Sequence, residues 1–229
     1  GLKRETLERN KLRRKHFAKC EKRYDTTVSR VVQVMRRASG KSVEAVEEAG
    51  EVVDAMVETF LSERDVVLNL MNTKPTDARS HYHALNVTVL SLMLGKELRL
   101  KNHAMTFLGM GALFHDIGKG RIPMEELSHG KATTMRYAVK KNYQMHPIIG
   151  SRLARQFPNF PQQAVHIILQ HHEAVDGSGF PNRLPAEKIS PLAKIVAIAD
   201  CYDTLCNKSD QKEALTPHEA LKHMYARFK

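Results

Sequence analysis

HYHALNVTVLSLMLGKELRLKNHAMTFLGMGALFHDIGKG, residues 81–120, decides the fold. Val87, Leu90, Met93 and Leu94 recur at steps of three and four, marking the inner face of a helix from about Ala78 to Leu98. A second helix is predicted over Asn102–Asp116, with Gly118 suited to its C-terminal cap. Upstream, TKPTD at residues 73–77 is a break, because Pro75 disfavours helix in the residue before it and Asp77 suits an N-cap. Before that break Val46, Val53, Met56, Val57, Phe60, Val67 and Met71 paint one face of a long helix from Val43 to Met71, weakened only locally at Gly50. Long helices of this type often pair, so the stripe is either core or the contact surface of a homodimer.

Downstream the chain reads as loop from Gly120 to about Thr133, and Pro147, Pro161 and Pro191 each suit the first turn of a later helix. Only DGSGFPNRLP, residues 176–185, is clearly irregular, and strand signals are few. The expected fold is all-α: a helical bundle over residues 73–229, preceded by long N-terminal helices in residues 1–72.

The 229 residues, 42% hydrophobic and 27% charged, exclude a disordered tail or a fibrous repeat. Asn102–Phe114, free of formal charge, is shorter than the roughly 20 apolar residues a membrane span needs, so no such span is expected. The chain begins at Gly1 with no apolar leader and reads as part of something longer. Three cysteines, Cys20, Cys201 and Cys206, without a CxxC pair suggest reduced thiols and a cytoplasmic setting. The net charge of +11 sits mainly in residues 1–37, where 13 Lys/Arg face 4 Asp/Glu. That segment holds only Phe17 and Tyr24 as aromatics and no nucleic-acid motif, so it reads as a solvated helix face or a junction to an upstream domain. A nucleic-acid polymer is not the expected partner.

The chemistry lies in the histidines. His115-Asp116 falls where a helix runs into Gly118, His171-His172 ends another helix, and His146 stands just before Pro147. Asp200, inside the apolar IVAIADCYDTL, is expensive to bury unless paired or metal-bound. Imidazoles and carboxylates together suit first-row transition metals. A carboxylate can bridge two ions while its neighbour binds one, and two ions about 3.5–4 Å apart clamp a nucleophile and a phosphoryl group for in-line displacement. The pattern points to phosphodiester hydrolysis.

The ordered set HYHALNV (81–87), LFHDIGKGRIP (113–123), HPIIG (146–150), HHEAVDGSGFP (171–181) and IADCYDTL (198–205) resembles the HD-GYP branch of the HD phosphohydrolase superfamily. The resemblance covers about residues 78–225. It implies a metal-dependent phosphodiesterase that cleaves cyclic di-GMP to pGpG or GMP by hydroxide attack at two divalent ions, iron or manganese. It further implies metal ligands at His83, His115, Asp116, His146, His171, His172 and Asp200, with Asp116 as the bridge. Asp200, His83 and His115 would serve one ion and the later histidines the other. Asp116 and Lys119 would be catalytic, Lys119 neutralising phosphate charge as it develops. Gly177 and Gly179 allow a tight turn whose amides would approach a phosphate. Phe180 stands where the family has Tyr, and Arg79 where some members carry a Glu for a third ion, which favours two ions here. The family's phosphate-binding arginine is replaced within NKSDQKEA, leaving Lys208 or Lys212 as substitutes. LSHGKATTMRY, with His129 and Lys131, departs from the family's usual loop. A receptor that binds without turnover, and a phosphohydrolase of another nucleotide, are the alternative readings.

Overall fold

The computed structural model describes residues 2–39, 44–60, 63–73, 79–122, 140–207 and 214–227. Lys208 and Lys212, His129 and Lys131, and the side chains of Arg79 and His81, lie outside the described residues. Nine α-helices are described: α1 (Leu2–Ser39), α2 (Glu44–Phe60), α3 (Arg64–Thr73), α4 (Arg79–Glu97), α5 (Asn102–Phe114), α6 (His146–Ala154), α7 (Gln162–Gln170), α8 (Pro191–Cys206) and α9 (Pro217–Arg227). Short 3-10 turns span Ile117–Arg121 and Ala186–Lys188. No strand occurs among the described residues, so the all-α expectation holds.

Two N-terminal expectations need correction. The single helix over 43–71 is two, α2 and α3, with Glu63 in a bend between them. The successive polar residues Glu63, Arg64 and Asp65 interrupt the apolar stripe there, and the Glu63 carbonyl accepts the Val66 and Val67 amides at the start of α3. The basic segment is also more than a solvated face. Along α1, Cys20, Tyr24, Val28, Val31, Val34 and Ala38 are buried at steps of four, four, three, three and four, an apolar seam under a charged exterior.

That seam joins one core with Val46, Val53 and Met56 of α2, Val67 and Leu70 of α3, Leu85, Val89 and Leu92 of α4, and Leu113 and Phe114 of α5. The stripe of residues 43–71 is therefore core within this chain wherever its side chains are described. A second cluster, Val87, Leu108, Ala112, Ile167, Ile195, Val196 and Ala199, fastens α4 and α5 to α7 and α8. Together the clusters bring the first turns of α4, the end of α5, the start of α6, the end of α7 and the middle of α8 to one place. Pro147 and Pro191 occupy first helical turns as expected, while Pro161 caps α7 one residue before it.

Candidate metal centre

Seven side chains meet there. His83 comes from α4, His115 and Asp116 follow α5, His146 opens α6, His171 and His172 follow α7, and Asp200 sits in α8. They fall into two groups, His83 with His115 and Asp200, and Asp116 with His146, His171 and His172, each with its ligand atoms within 4.8 Å of one another. Asp116 lies between. Its Oδ2 is 3.4 Å from His115 Nε2 and 3.7 Å from His83 Nε2, and its Oδ1 is 3.2 Å from His146 Nε2 and 3.8 Å from His171 Nε2.

Local backbone geometry aims the rings. His115, His146 and His171 each donate from Nδ1 to the carbonyl three residues back, on Ala112, Tyr143 and Ile168, at 2.6–2.8 Å. A carbonyl can only accept, so the proton is on Nδ1 and Nε2 is left to offer a lone pair inward. The Nε2 atoms of His146 and His171 face each other at 3.2 Å, with both Nδ1 protons already committed. His115 Nε2, Asp116 Oδ1 and His172 Nε2 are buried without a hydrogen-bond partner. Converging lone pairs left unsatisfied in a buried place are costly unless a cation shares them. The nitrogen and oxygen donor set fits divalent first-row metals.

The charges point the same way. Burial disfavours protonation of His171, the rings of His172 and His115 add to it, and the group is held well below the usual imidazole range. His172 is lowered to about 3, chiefly by burial. His83 is the opposite case: burial opposes its charge, but hydrogen bonds to Asp200 and Asp203 prevail and raise it to about 10. Burial would raise Asp116, yet His115 and Lys119 hold its carboxyl well below the carboxylate range. Burial likewise fails to raise Asp200, because the His83 hydrogen bond keeps it ionised.

Lys119, in the 3-10 turn after Asp116, places Nζ 2.5 Å from Asp116 Oδ2 and 5.1 Å from the centre of the Tyr143 ring. Gly177, at φ +74°, spends its amide on the Ala174 carbonyl, which removes it as the phosphate donor expected above. Gly179 also permits close packing: a Cβ there would stand 2.2 Å from the Ala174 nitrogen.

Glu173 and Tyr143 escaped the sequence reading. Glu173 is buried and accepts the amides of Asn182 and Leu184, which folds the 173–184 loop back and lays Phe180 against His172 at 4.5 Å between ring centres. Its place beside His171-His172 was the available signal. Tyr143 packs on His146, His172 and Phe180, lining the same side of the centre as Lys119. Asp203, one turn beyond Asp200, accepts from His83 Nδ1 at 2.7 Å.

An all-α domain that gathers five imidazoles and two carboxylates from separate helices, with their free atoms inward, offers donor groups that could hold a metal. The chain belongs to the HD domain family, matching it over residues 56–229. It is 30% identical over 196 residues to cyclic di-GMP phosphodiesterase PA4108 of Pseudomonas aeruginosa, covering 85% of this chain and 46% of that protein. It is 29% identical over 181 residues to 3'3'-cGAMP-specific phosphodiesterase 2 of Vibrio cholerae, covering 77% and 34%. The chain thus spans a third to a half of the length of these relatives. Its fold is shared with Bd1817, an HDG"Y"P protein from Bdellovibrio bacteriovorus, at a TM-score of 0.73 and 23% identity, covering 89% of this chain and 64% of that one. The HD-GYP resemblance read from the motifs stands. Among the described residues no helix is long and apolar enough to cross a membrane.

Proposed function

We propose that the chain is a metal-dependent phosphodiesterase that hydrolyses cyclic di-GMP, with His83, His115 and Asp200 holding one divalent ion, His146, His171 and His172 a second, and Asp116 shared between them. The observation that supports this most is Asp116 itself, which turns one carboxylate oxygen to each group. When bound, such ions, iron or manganese, supply Lewis acidity toward a phosphoryl oxygen and lower the pKa of a water molecule. The residues around them do the rest. Nδ1 hydrogen bonds fix the ring orientations before substrate arrives, which is the pre-organisation that phosphoryl chemistry rewards. Lys119, held against Asp116, presents a fixed positive charge where phosphate charge grows. Phe180 and Tyr143 form an aromatic wall that keeps water from that side and suits a purine face.

The relatives' names support a cyclic dinucleotide as substrate, and a cytoplasmic setting, where such nucleotides serve as messengers, belongs to the same reading. Self-association, if the N-terminal helices provide it, falls to the outer face of α1, where Leu12 is exposed; light scattering tests it. The missing family arginine favours a second reading, a receptor that binds the nucleotide without turnover. Incubation of the manganese- or iron-loaded protein with cyclic di-GMP, 3'3'-cGAMP and a panel of other nucleotides, beside Asp116→Ala, separates the cases. Release of pGpG or GMP by the parent chain and none by Asp116→Ala is expected. Binding without product establishes the receptor, and preferential cleavage of another nucleotide moves the substrate.

A further inference from the structure

A chain of hydrogen bonds runs from α1 to the metal centre. Tyr24, fully buried in the α1 seam, donates its hydroxyl to Asn86 Oδ1 at 2.5 Å. Asn86, on α4, donates Nδ2 to Asp203 Oδ1 at 2.8 Å. Asp203, on α8, takes the His83 Nδ1 proton on its other oxygen at 2.7 Å. The direction of each link is forced. An ionised carboxylate only accepts, so Asn86 must face it with its amide nitrogen and turn its carbonyl oxygen to Tyr24. With Nδ1 spoken for, His83 can offer a metal only Nε2, which already points at Asp200 at 3.2 Å and Asp116 at 3.7 Å. The Tyr24 ring also stacks at 6.4 Å on Tyr82, the residue preceding His83.

We propose that Tyr24 is a positioning residue for the metal centre: acting through Asn86 and Asp203 it orients the His83 ring, so the seating of α1 sets how tightly the His83, His115 and Asp200 group holds a divalent cation. The proposal rests on the metal-centre reading above. Removing the hydroxyl leaves Asn86 Oδ1 without this donor and frees the amide to turn, and Asp203 then grips His83 less firmly. Partners of this outer kind typically govern about 10- to 100-fold in metal affinity. α1 lies outside the span matched to the family, residues 56–229, so through Tyr24 the centre answers to a segment the family match does not include.

The test is manganese titration of the full chain, followed calorimetrically, for the parent, Tyr24→Phe, Asp203→Asn, the double variant and Val31→Ala. Val31 is fully buried in α1 and has no place in the hydrogen-bond chain. Tyr24→Phe is expected to weaken manganese binding about 10-fold and Asp203→Asn at least as much. The double variant is expected to bind no more weakly than Asp203→Asn alone, while Val31→Ala melts earlier and keeps parent affinity. Parent affinity in Tyr24→Phe, strictly additive losses, or an equal loss in Val31→Ala would each overturn the relay. Asn86→Ala carries the same expectation should Tyr24→Phe not fold. A parent chain that takes up no manganese overturns the metal-centre reading itself; uptake by the parent with an indifferent Tyr24→Phe removes the relay alone.

Discussion

Lys119 and His83 are the two residues at the centre whose charge does the most. Lys119 touches Asp116 but belongs to neither histidine group, so its removal leaves the proposed ligands intact. Lys119→Ala should therefore keep its metal, by elemental analysis, and lose roughly 10²- to 10³-fold in kcat, the scale for a preorganised charge at a developing anion. An unchanged kcat would remove its role. His83 carries a proton at neutral pH because Asp200 and Asp203 raise it from 6.5 to about 10. In folding terms that raised value stabilises the native state fully below pH 6.5, and the contribution fades as pH climbs through about 10. In binding terms the sign reverses, since a ligating ring must be neutral. Metal uptake at pH 7 should expel a proton and strengthen with rising pH. Calorimetric titrations in buffers of different ionisation enthalpy would reveal that proton, and uptake without it would contradict the assignment of His83.

The helices were legible in different degrees. α4 and α5 appeared within a residue or two of their observed bounds, α4 from its regular apolar spacing, but Gly118 is not the α5 cap expected of it: His115 ends the helix and Gly118 lies inside the 3-10 turn that follows. The seven centre residues were legible because the motifs around them are local: each pair or turn carries its own neighbours along the chain. Tyr24 and Asn86 were not, since 62 residues separate them and a single hydrogen bond leaves no spacing to read. The α1 seam is present in the spacing of Tyr24, Val28, Val31, Val34 and Ala38, but the many Lys and Arg of the opposite face dominate the composition of the segment. At the level of elements, the 3-10 turn after α5 meets the first turn of α6 unusually closely. A Cβ on Gly118 would stand 2.0 Å from the His146 carbonyl oxygen and 2.6 Å from the Gly150 nitrogen. Both are backbone atoms and cannot swing aside. Gly118→Ala should push Asp116 and His146 apart, lowering stability by about 1–3 kcal/mol in urea unfolding and metal content with it. Gly120→Ala, with nothing within 4 Å of its added carbon, is the matched control and should do neither.

Across the whole molecule, the proposed boundary near residue 73 coincides with no gap in the core. Val31 and Val34 of α1, Met56 of α2 and Leu70 of α3 share one apolar cluster with Leu85, Leu113 and Phe114 of α4 and α5, the helices that carry His83 and lead into His115. The family match, starting at residue 56, also begins inside α2 rather than after α3. Two segments that bury their apolar faces against each other lose that burial together, so they should unfold as one cooperative unit. Met56 tests this because it is 1% exposed and lies on the N-terminal side of the boundary. Met56→Ala should cost about 2–5 kcal/mol. If the unit is single, that loss will appear equally in the hydrogen exchange of the slowest amides of α1, α2, α4 and α5, because all of them exchange through the same global opening. A loss confined to α1 and α2, with α4 and α5 as protected as before, would instead mean that residues 1–72 open independently of the bundle. The seating of α1 could then vary without disturbing the fold around the metal centre.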